Sequence, residues 1–314
     1  MALDPKLRRF LDRLAASAPR DPATLTVAER RAAIERMMAL GAEPEAVARL
    51  EKRWLAGPAG SLRAWVYTPA REGLGLLPGL VYFHGGGFVA GSLETHDGIC
   101  RSLANASGCR VVSVDYRLGP EARFPAAVED ACAATRWVLD HGAELGIDTR
   151  RVGVCGDSAG GTLAAVVAQT LTAQGAGPLA LQFLLCPILD YRARSPSWDA
   201  YGSGHLLERE TLEHDLRHYL GEAADPHDAR ISPLRARDLR GLPSACIHSA
   251  ECDPLRDEAA DYAARLENAG VATSYRCHSG MIHLFYALGA VIAYGAEAYR
   301  QMGADIRALL ERAS

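Results

Sequence analysis

Two amphipathic segments come first in the chain, before any strand-like pattern appears. The first segment, residues 3–16, has one apolar helical face formed by Leu7, Phe10, Leu11 and Leu14. A second helix is expected from Thr26, because Glu29 three residues later completes the pattern of a capping box. The apolar positions expected on its buried stripe are Ile34, Met37 and Met38.

From residue 61 the apolar positions change to short, nearly continuous runs that alternate with helical periodicity. The strand-like runs are 61–67, 79–83, 110–115, 151–155, 181–186, 244–250 and 272–277. The helical stretches fall near 96–107, 126–142, 159–174, 257–269 and 288–312. Because strands covered on both faces have continuous apolar runs, this alternation predicts an α/β fold with a mostly parallel, doubly wound sheet.

Residues 187–240 interrupt the alternation with prolines, several aromatic residues and one clear helical stretch near 208–220. We interpret this segment as an insertion that forms a cap over the sheet together with the N-terminal helices. The expected organisation is N-terminal cap helices over 1–50, an α/β core over 51–187 and 236–314, and a cap insertion over 188–235.

Composition and charge exclude several functional classes. The 314 residues are 49% hydrophobic and 23% charged, as in a globular protein, and the net charge of −4 provides no basic surface for nucleic acid. The eight cysteines are scattered without a C-x-x-C pair, which argues against a zinc site and a disulfide scaffold. The N-terminus has charges where a secretory signal would be apolar, and no run approaches the roughly 20 apolar residues of a membrane helix. We therefore expect a cytoplasmic protein without a membrane span.

A nucleophile motif follows one of the predicted strands directly. Residues 156–161 read G-D-S-A-G-G, between the strand-like run 151–155 and an apolar helical stretch. A sharp strand-to-helix turn exposes its serine, and flanking glycines are needed where a Cβ would collide with neighbouring elements. Ser158 is therefore the candidate nucleophile.

A glycine-rich loop, His84-Gly-Gly-Gly-Phe88, follows the predicted strand 79–83. Successive glycines let backbone N–H groups approach a substrate, so Gly85, Gly86 and Ala159 are expected to donate to the oxyanion of an ester undergoing attack. The same loop also fits the loose dinucleotide fingerprint G-x-G-x-x-A, with Asp115 as the ribose-binding acid. His84 and Phe88 crowd the position of a pyrophosphate, and no helix starts at the glycines, which argues against that alternative.

The acid and base of the triad should follow later strands, in the chain order serine, acid, histidine. Asp253 lies just past the predicted strand 244–250, and Pro254 keeps its backbone extended. Glu251 is the main competitor for the acid. His283 and His278 both follow the last predicted strand, and His283 is favoured because it lies in a loop with a glycine hinge.

These motifs together resemble the bacterial hormone-sensitive-lipase-like esterases of the α/β-hydrolase superfamily, in the subgroup with G-D-S-A-G-G at the nucleophile. The resemblance also includes the H-G-G-G-F loop, D-Y-R-L-G-P-E at 115–121, S-P-L at 232–234 and G-M-I-H at 280–283. It implies Ser158, Asp253 and His283 as the triad, hydrolysis of short-chain esters, no cofactor or metal, and a homodimer as a candidate assembly. It also implies that residues 115–121 hold the oxyanion loop and are not catalytic.

The chain departs from the family pattern at two positions. Leu284 stands where glycine commonly follows the base, which is expected to narrow the pocket, and Gly119 replaces the usual alanine with a mild effect. The pocket walls are assigned to Met37, Met38, Phe88, Leu206 and Ile282. Two alternatives to a carboxylesterase stay open: a small-molecule receptor on the same fold, and an amidase or carbamate hydrolase that uses the same triad.

Overall fold

The computed structural model describes residues 3–17, 24–71, 75–192, 194–221, 224–225 and 227–312. The strands are β1 Arg49–Gly57, β2 Gly60–Thr68, β3 Leu77–Phe83, β4 Arg110–Val114, β5 Ile147–Asp157, β6 Leu181–Leu185, β7 Ser244–Cys252 and β8 Thr273–Ile282. The helices are α1 Pro5–Ala16, α2 Val27–Met38, α3 Asp97–Ser107, α4 Ala126–His141, α5 Ala159–Ala173, α6 Pro196–Tyr201, α7 Arg209–Leu220, α8 Arg256–Asn268 and α9 Tyr294–Arg312. The predicted alternation of strands and helices is confirmed.

All eight strands form one sheet in the order β1-β2-β4-β3-β5-β6-β7-β8. The pairs β1–β2 and β2–β4 are antiparallel, and every later neighbouring pair is parallel. Because parallel strands end at the same edge, the segments that follow β3, β5, β7 and β8 meet there. This edge carries the glycine loop, the serine turn, the acid and the histidine.

Helices cover both faces of the sheet and create two hydrophobic cores. On one face, α4, α5 and α8 pack on the strands through apolar side chains such as Leu163 and Tyr262. On the other face, α3 and α9 pack through side chains such as Leu103 and Met302. Burial on both faces explains why the central strands β4 and β6 are apolar throughout rather than alternating.

Several elements differ from the sequence prediction. The edge strand β1 was not expected, because four of its nine residues are charged and interrupt the apolar pattern. All of its residues except Leu55 are at least partly exposed, which is typical of an edge strand. Helix α6 was missed in the proline-containing insertion. Strand β8 continues to Ile282, so Gly280 lies inside a strand and not in a hinge loop, and α9 begins at Tyr294 instead of near 288.

The N-terminal helices form where the pattern predicts, although their faces differ in part. Thr26 and Glu29 form the expected capping box at the start of α2. In α1, Leu7 and Leu11 are buried in the core that contains α9. In α2, by contrast, Ile34 and both methionines are only half-buried, and the buried residue is Arg30. The expected buried stripe of α2 is therefore wrong: its apolar residues line a cavity.

Two acids at the start of α8 form hydrogen bonds with the segment that follows β6. Asp257 accepts a hydrogen bond from the N–H of Ser197, at the start of α6, at 2.8 Å. Glu258 accepts from the N–H groups of Leu189 and Asp190 at 3.1 and 3.0 Å, and burial raises its pKa well above the usual range. Residues 193 and 222–223 and Pro226, which belong to the segment between β6 and β7, lie outside the described residues.

Two further observations concern the cysteine side chains and the length and polarity of the helices. All eight cysteine side chains are free, and every one except Cys277 is buried. Within the described ranges, no helix is both long and apolar enough to cross a lipid bilayer.

Candidate active site

Ser158 occupies the turn between β5 and α5 in a strained backbone conformation. Its φ of 53° and ψ of −119° lie where residues with a side chain are rarely found. A Cβ on Gly160 would lie 1.9 Å from the carbonyl oxygen of Phe83, and one on Gly156 would lie 2.3 Å from that of Gly160. Only glycine fits these close backbone approaches, and the sharp turn therefore holds the serine at the edge of the sheet.

The structure brings the predicted base and acid to this serine. His283 follows β8 directly, and its Nε2 lies 3.2 Å from Ser158 Oγ. Its Nδ1 lies 2.8 Å from Oδ2 of Asp253, which follows β7, and Asp253 Oδ1 accepts from the N–H of Leu255 at 2.9 Å. Because a carboxylate only accepts, Nδ1 carries the proton and the lone pair of Nε2 faces the serine hydroxyl.

The competing acid and base have other partners. Glu251 accepts from the N–H of Gly280 at 2.7 Å and from Ser279 Oγ at 2.8 Å. These hydrogen bonds, led by the one from Gly280, lower the pKa of Glu251 to about 2. His278 pairs through Nε2 with His248 Nδ1 at 2.9 Å. The geometry therefore favours Asp253 and His283 over Glu251 and His278.

The glycine loop contacts the serine turn, but one of its expected donors is engaged elsewhere. The N–H of Gly85 donates to Asp157 Oδ1 at 2.9 Å, so the assignment of this group to the oxyanion is wrong. Gly86 and Gly87 line the same cavity as Ser158. Ala159 is the first residue of α5, where N–H groups have no intrahelical acceptor. The available donors are therefore the amides of Gly86, Gly87 and Ala159.

Asp157 is a buried hub that sequence reasoning missed. Its carboxylate accepts from Tyr82 Oη, from the N–H of Gly85 and, at 3.1 Å, from Tyr286 Oη, and His96 Nε2 lies 3.6 Å away. Burial alone would raise the pKa of Asp157, but the electrostatic interaction with the His96 ring and the hydrogen bonds lower it to about 2. This carboxylate therefore links the glycine loop, the serine turn and the segment after the histidine. Its position beside the nucleophile in the G-D-S motif was the only available sequence signal.

The dinucleotide alternative fails on the same loop. The next helix begins only at Asp97, so no helix N-terminus faces the glycines. Asp115 pairs with Arg63 Nε at 2.8 Å instead of standing free for a ribose. Tyr116 donates to the carbonyl oxygen of His84 at 2.7 Å, so the 115–121 segment supports the loop from behind.

A cavity of about 1280 Å³ opens over the serine. Among the predicted wall residues, Met37, Met38 and Leu206 line it, as does Leu284. Leu284 has φ 63°, a left-handed conformation that favours glycine. Phe88 and Ile282 are buried and are not part of the lining, so their assignment to the wall is corrected. The ring of Phe88 stacks on Tyr219 at 4.0 Å, and Ile282 belongs to the core beneath the sheet edge.

One group of ligand-type side chains lies close enough to hold a metal ion among the described residues. It consists of Cys186, Asp253 and His283, whose ligand atoms lie within 4.8 Å of one another. Burial, followed by the nearby Asp253 carboxylate, raises the pKa of the Cys186 thiol well above its usual value. The thiol therefore stays protonated, and the other two groups are already bonded to each other, so this cluster is better described as the acid–base pair and a neighbouring thiol.

Comparison with known proteins gives consistent matches. A family model for the alpha/beta hydrolase fold matches residues 80–287. The ethyl acetate hydrolase of Pseudomonas putida is 43% identical over 230 residues, which are 72% of this chain and 72% of that protein. Carboxylesterase NlhH of Mycobacterium tuberculosis is 38% identical over 307 residues, which cover 94% of this chain and 92% of that protein.

A solved structure extends the match over nearly the whole chain. An ester hydrolase from the metagenome of Lake Arreo, complexed with a derivative of bipyridine phosphonate, is 41% identical to this chain. The two superpose with a TM-score of 0.94, and the match covers 98% of both chains. The similarity therefore includes the N-terminal helices and the insertion as well as the sheet.

Proposed function

Because the chain belongs to the α/β-hydrolase family and, within it, to the bacterial hormone-sensitive-lipase-like carboxylesterases, we propose that Ser158, His283 and Asp253 hydrolyse short- to medium-chain carboxylic esters. The observation that carries this proposal is the continuous hydrogen-bonded chain from Ser158 Oγ through both ring nitrogens of His283 to Asp253. A serine hydroxyl is a weak nucleophile, and a positioned imidazole is the group that activates it.

The proposed reaction follows from these positions. As Ser158 Oγ bonds to the ester carbonyl carbon, its proton passes to His283 Nε2, and the carbonyl oxygen becomes an oxyanion beside the amides of Gly86, Gly87 and Ala159. Asp253 holds the imidazole in the required tautomer and stabilises the imidazolium. When the C–O bond of the ester breaks, His283 gives the proton to the leaving alkoxide. A water molecule then attacks the acyl carbon while His283 takes its proton. The bond from Ser158 Oγ to the acyl carbon breaks, the acid leaves, and His283 returns the proton to Ser158 Oγ.

We assign the cap to residues 1–50 and 188–235. Support comes from the cavity lining, which combines α1, α2 and the start of α7 with the serine turn. A bulky Leu284 beside the base favours short acyl groups. The similarity to the ethyl acetate hydrolase of Pseudomonas putida supports the same preference. The homodimer implied by the family resemblance is also a proposal, and sedimentation velocity would test it.

A chain-length series on p-nitrophenyl esters tests the function. We expect a maximum below about eight acyl carbons, and Ser158→Ala is expected to lose on the order of 10⁵ to 10⁶ in turnover. Ser61→Ala, an exposed serine on β2, is the matched control. Retention of activity in Ser158→Ala would refute the proposed nucleophile, and a maximum at long chains would refute the proposed substrate class.

Two further measurements separate the alternatives. A fluorophosphonate probe should label the wild-type serine covalently. Ligand binding without labelling would instead indicate a receptor. Rates on matched esters and anilides should favour the ester, because an amide nitrogen needs protonation before it leaves. Equal rates would favour the amidase alternative.

A further inference from the structure

A buried ion pair forms part of the cavity wall. Arg30 of α2 donates through Nε to both oxygens of Asp215 on α7 at 3.1 Å, and through Nη2 to Oδ2 at 2.8 Å. Arg30 is 9% exposed and Asp215 is 2% exposed. Both residues line the same cavity as Ser158, so an ester bound over the serine shares its cavity with this pair.

The pair lies beside the glycine loop that contains Gly86 and Gly87. A Cβ on Gly87 would lie 2.1 Å from Asp215 Oδ2, so the carboxylate packs directly against this glycine. The leaving alcohol must stay within reach of His283 to receive its proton. The side of the cavity next to Gly87 is therefore left to the acyl group.

Stability does not explain why two charges are buried here. The free energy needed to desolvate a buried ion pair often exceeds the free energy gained from the attraction between its charges. Apolar replacements of similar size are therefore often neutral or stabilising. The cavity wall contains apolar side chains, such as Leu11, Ile34 and Leu207, and charged side chains, such as Arg36 and Glu210, that are exposed to solvent. The Arg30–Asp215 pair differs from these charged residues because it is buried, and a buried polar pair in the wall indicates recognition of a polar group.

The pair offers donors to the cavity, not acceptors. The carboxylate of Asp215 accepts from Arg30 and also lies 3.1 Å from His214 Nδ1, while His214 Nε2 lies 2.8 Å from the carbonyl oxygen of Leu25. A guanidinium has five N–H groups, and those on Nε and Nη2 point to Asp215. Arg30 Nη1 makes no hydrogen bond to any residue that the structure describes, and it is not among the fully buried side-chain atoms that lack a partner. Since Arg30 lines the cavity, the two N–H groups on Nη1 are accessible to a bound molecule.

We propose, on the basis of the esterase function above, that the preferred substrates carry a second oxygen in the acyl group close to the ester carbonyl. An ether, hydroxyl or keto oxygen at that place accepts a hydrogen bond from Arg30 Nη1. Asp215 fixes the guanidinium plane, so little side-chain entropy is lost when the bond forms. Arg30 is then the residue that determines specificity.

Two esters of equal length provide the test: p-nitrophenyl methoxyacetate and p-nitrophenyl butyrate differ by an oxygen in place of one methylene. The kcat/KM of each is divided by its rate of hydroxide-catalysed hydrolysis, which removes the intrinsic reactivity. The wild type should prefer methoxyacetate by about 10- to 100-fold, the range expected for a hydrogen bond to a charged group. A normalised ratio near one in the wild type would overturn the proposal.

The double variant Arg30→Met/Asp215→Leu removes both charges, so neither is left buried and alone. Its normalised ratio should fall to near one, with circular dichroism and thermal melting as the check on folding. If the double variant does not fold, Arg30→Lys takes its place in the test. It keeps the charge but loses the planar guanidinium, so it should lower the ratio several-fold. Arg13→Met, an exposed arginine of α1, should keep the wild-type ratio. A ratio that survives in the double variant would contradict the assignment. Absence of hydrolysis of both esters by the wild type would instead refute the underlying esterase function.

Discussion

Asp253 and Glu251 are two residues apart, yet their carboxylates have different partners. Asp253 is fully buried and contacts His283 Nδ1, while Glu251 binds the backbone of Gly280. In a regular strand, residues two apart point to the same side. Here the register between β7 and β8 shifts between Ala250 and Cys252, and β7 ends before Asp253, so the two carboxylates reach different partners. This irregularity could not be read from the sequence.

Asp253→Asn should lower kcat by about 10⁴-fold, because an amide can donate to the imidazole and favour the wrong tautomer. Glu251→Gln is the matched control and should keep kcat within a few-fold of wild type, since its backbone contacts lie away from the serine. Steady-state kinetics on p-nitrophenyl acetate and thermal melting of both variants check this. A large loss in Glu251→Gln at unchanged melting temperature would contradict the assignment of the acid.

The sequence predicted the residues that belong to motifs, and it missed those brought together only by the sheet. Ser158 and the glycine loop follow local rules of strand, turn and helix. Tyr82, His96 and Tyr286 converge on Asp157 from β3, the segment before α3 and the segment after β8. No spacing rule connects these positions, because only the strand order places them side by side.

Among the elements, α2 does more than cover the cavity. Arg31, next to Arg30, donates through Nε to the carbonyl oxygen of Val89 at 2.9 Å and through Nη2 to that of Gly119 at 3.2 Å. It also pairs with Glu121, in a contact that is largely exposed. Val89 lies in the turn of the oxyanion loop, where its N–H donates to Gly86 at 3.2 Å. Helix α2 therefore braces the loop that is proposed to hold the oxyanion.

Arg31→Met should lower kcat by about tenfold, because donors that shift by a fraction of an ångström stabilise the oxyanion less well. The diagnostic is a pair of substrates, p-nitrophenyl acetate and its thiono analogue, in which sulfur replaces the carbonyl oxygen and gains little from the oxyanion donors. The oxygen-to-sulfur rate ratio should fall in Arg31→Met and stay at the wild-type value in Glu121→Gln. Parallel losses on both substrates would show that the brace has only a general structural role.

Element prediction succeeded where the apolar pattern was strong and failed where it was weak. The buried strands β4 and β6 and helix α5 have continuous apolar character and were predicted within a residue or two. Strand β1 is a polar edge, and α6 is a short helix held by Asp257 of α8.

Gly119 was expected to be a mild change, but a Cβ there would lie 2.9 Å from the carbonyl oxygen of His218, so this glycine lets α7 approach the loop. Such tertiary contacts are not encoded in local periodicity.

At the scale of the whole molecule, the fold buries histidines that its mechanism does not use. His84 stacks on Tyr116 behind the oxyanion loop, and His278 lies between His248 and Tyr294 under the last helix. Burial, followed by the neighbouring histidines, lowers the pKa of His84 and of His278 to about 3 in each case. Both are therefore neutral in the folded protein at any pH at which the enzyme is expected to work.

These two groups make the fold sensitive to acid. In the unfolded chain both histidines take up protons as the pH falls below about 6.5, while in the folded chain they stay neutral down to about 3. The unfolded state thus binds more protons in this window, and the free energy of unfolding decreases as the pH falls. Each histidine contributes at most about 1.4 kcal/mol per pH unit. His214 acts in the opposite direction, because its hydrogen bond to Asp215 raises its pKa.

Replacing one buried histidine isolates its share of this dependence. His278→Gln should be less stable than wild type at pH 7, because it loses the packing of the imidazole, but the gap should narrow as the pH is lowered to 5. Urea unfolding at pH 7, 6 and 5 measures the slope for each protein, and the difference between slopes removes the contribution of all other groups. His141→Gln, at an exposed position on α4, controls for the loss of a histidine as such. If the slopes of wild type and His278→Gln were parallel, the neutral, buried state of this histidine would be wrong. The carboxylates of Asp157 and Glu251 would not explain a slope between pH 7 and 5, because their lowered pKa values make them lose their stabilising contribution only below about pH 4.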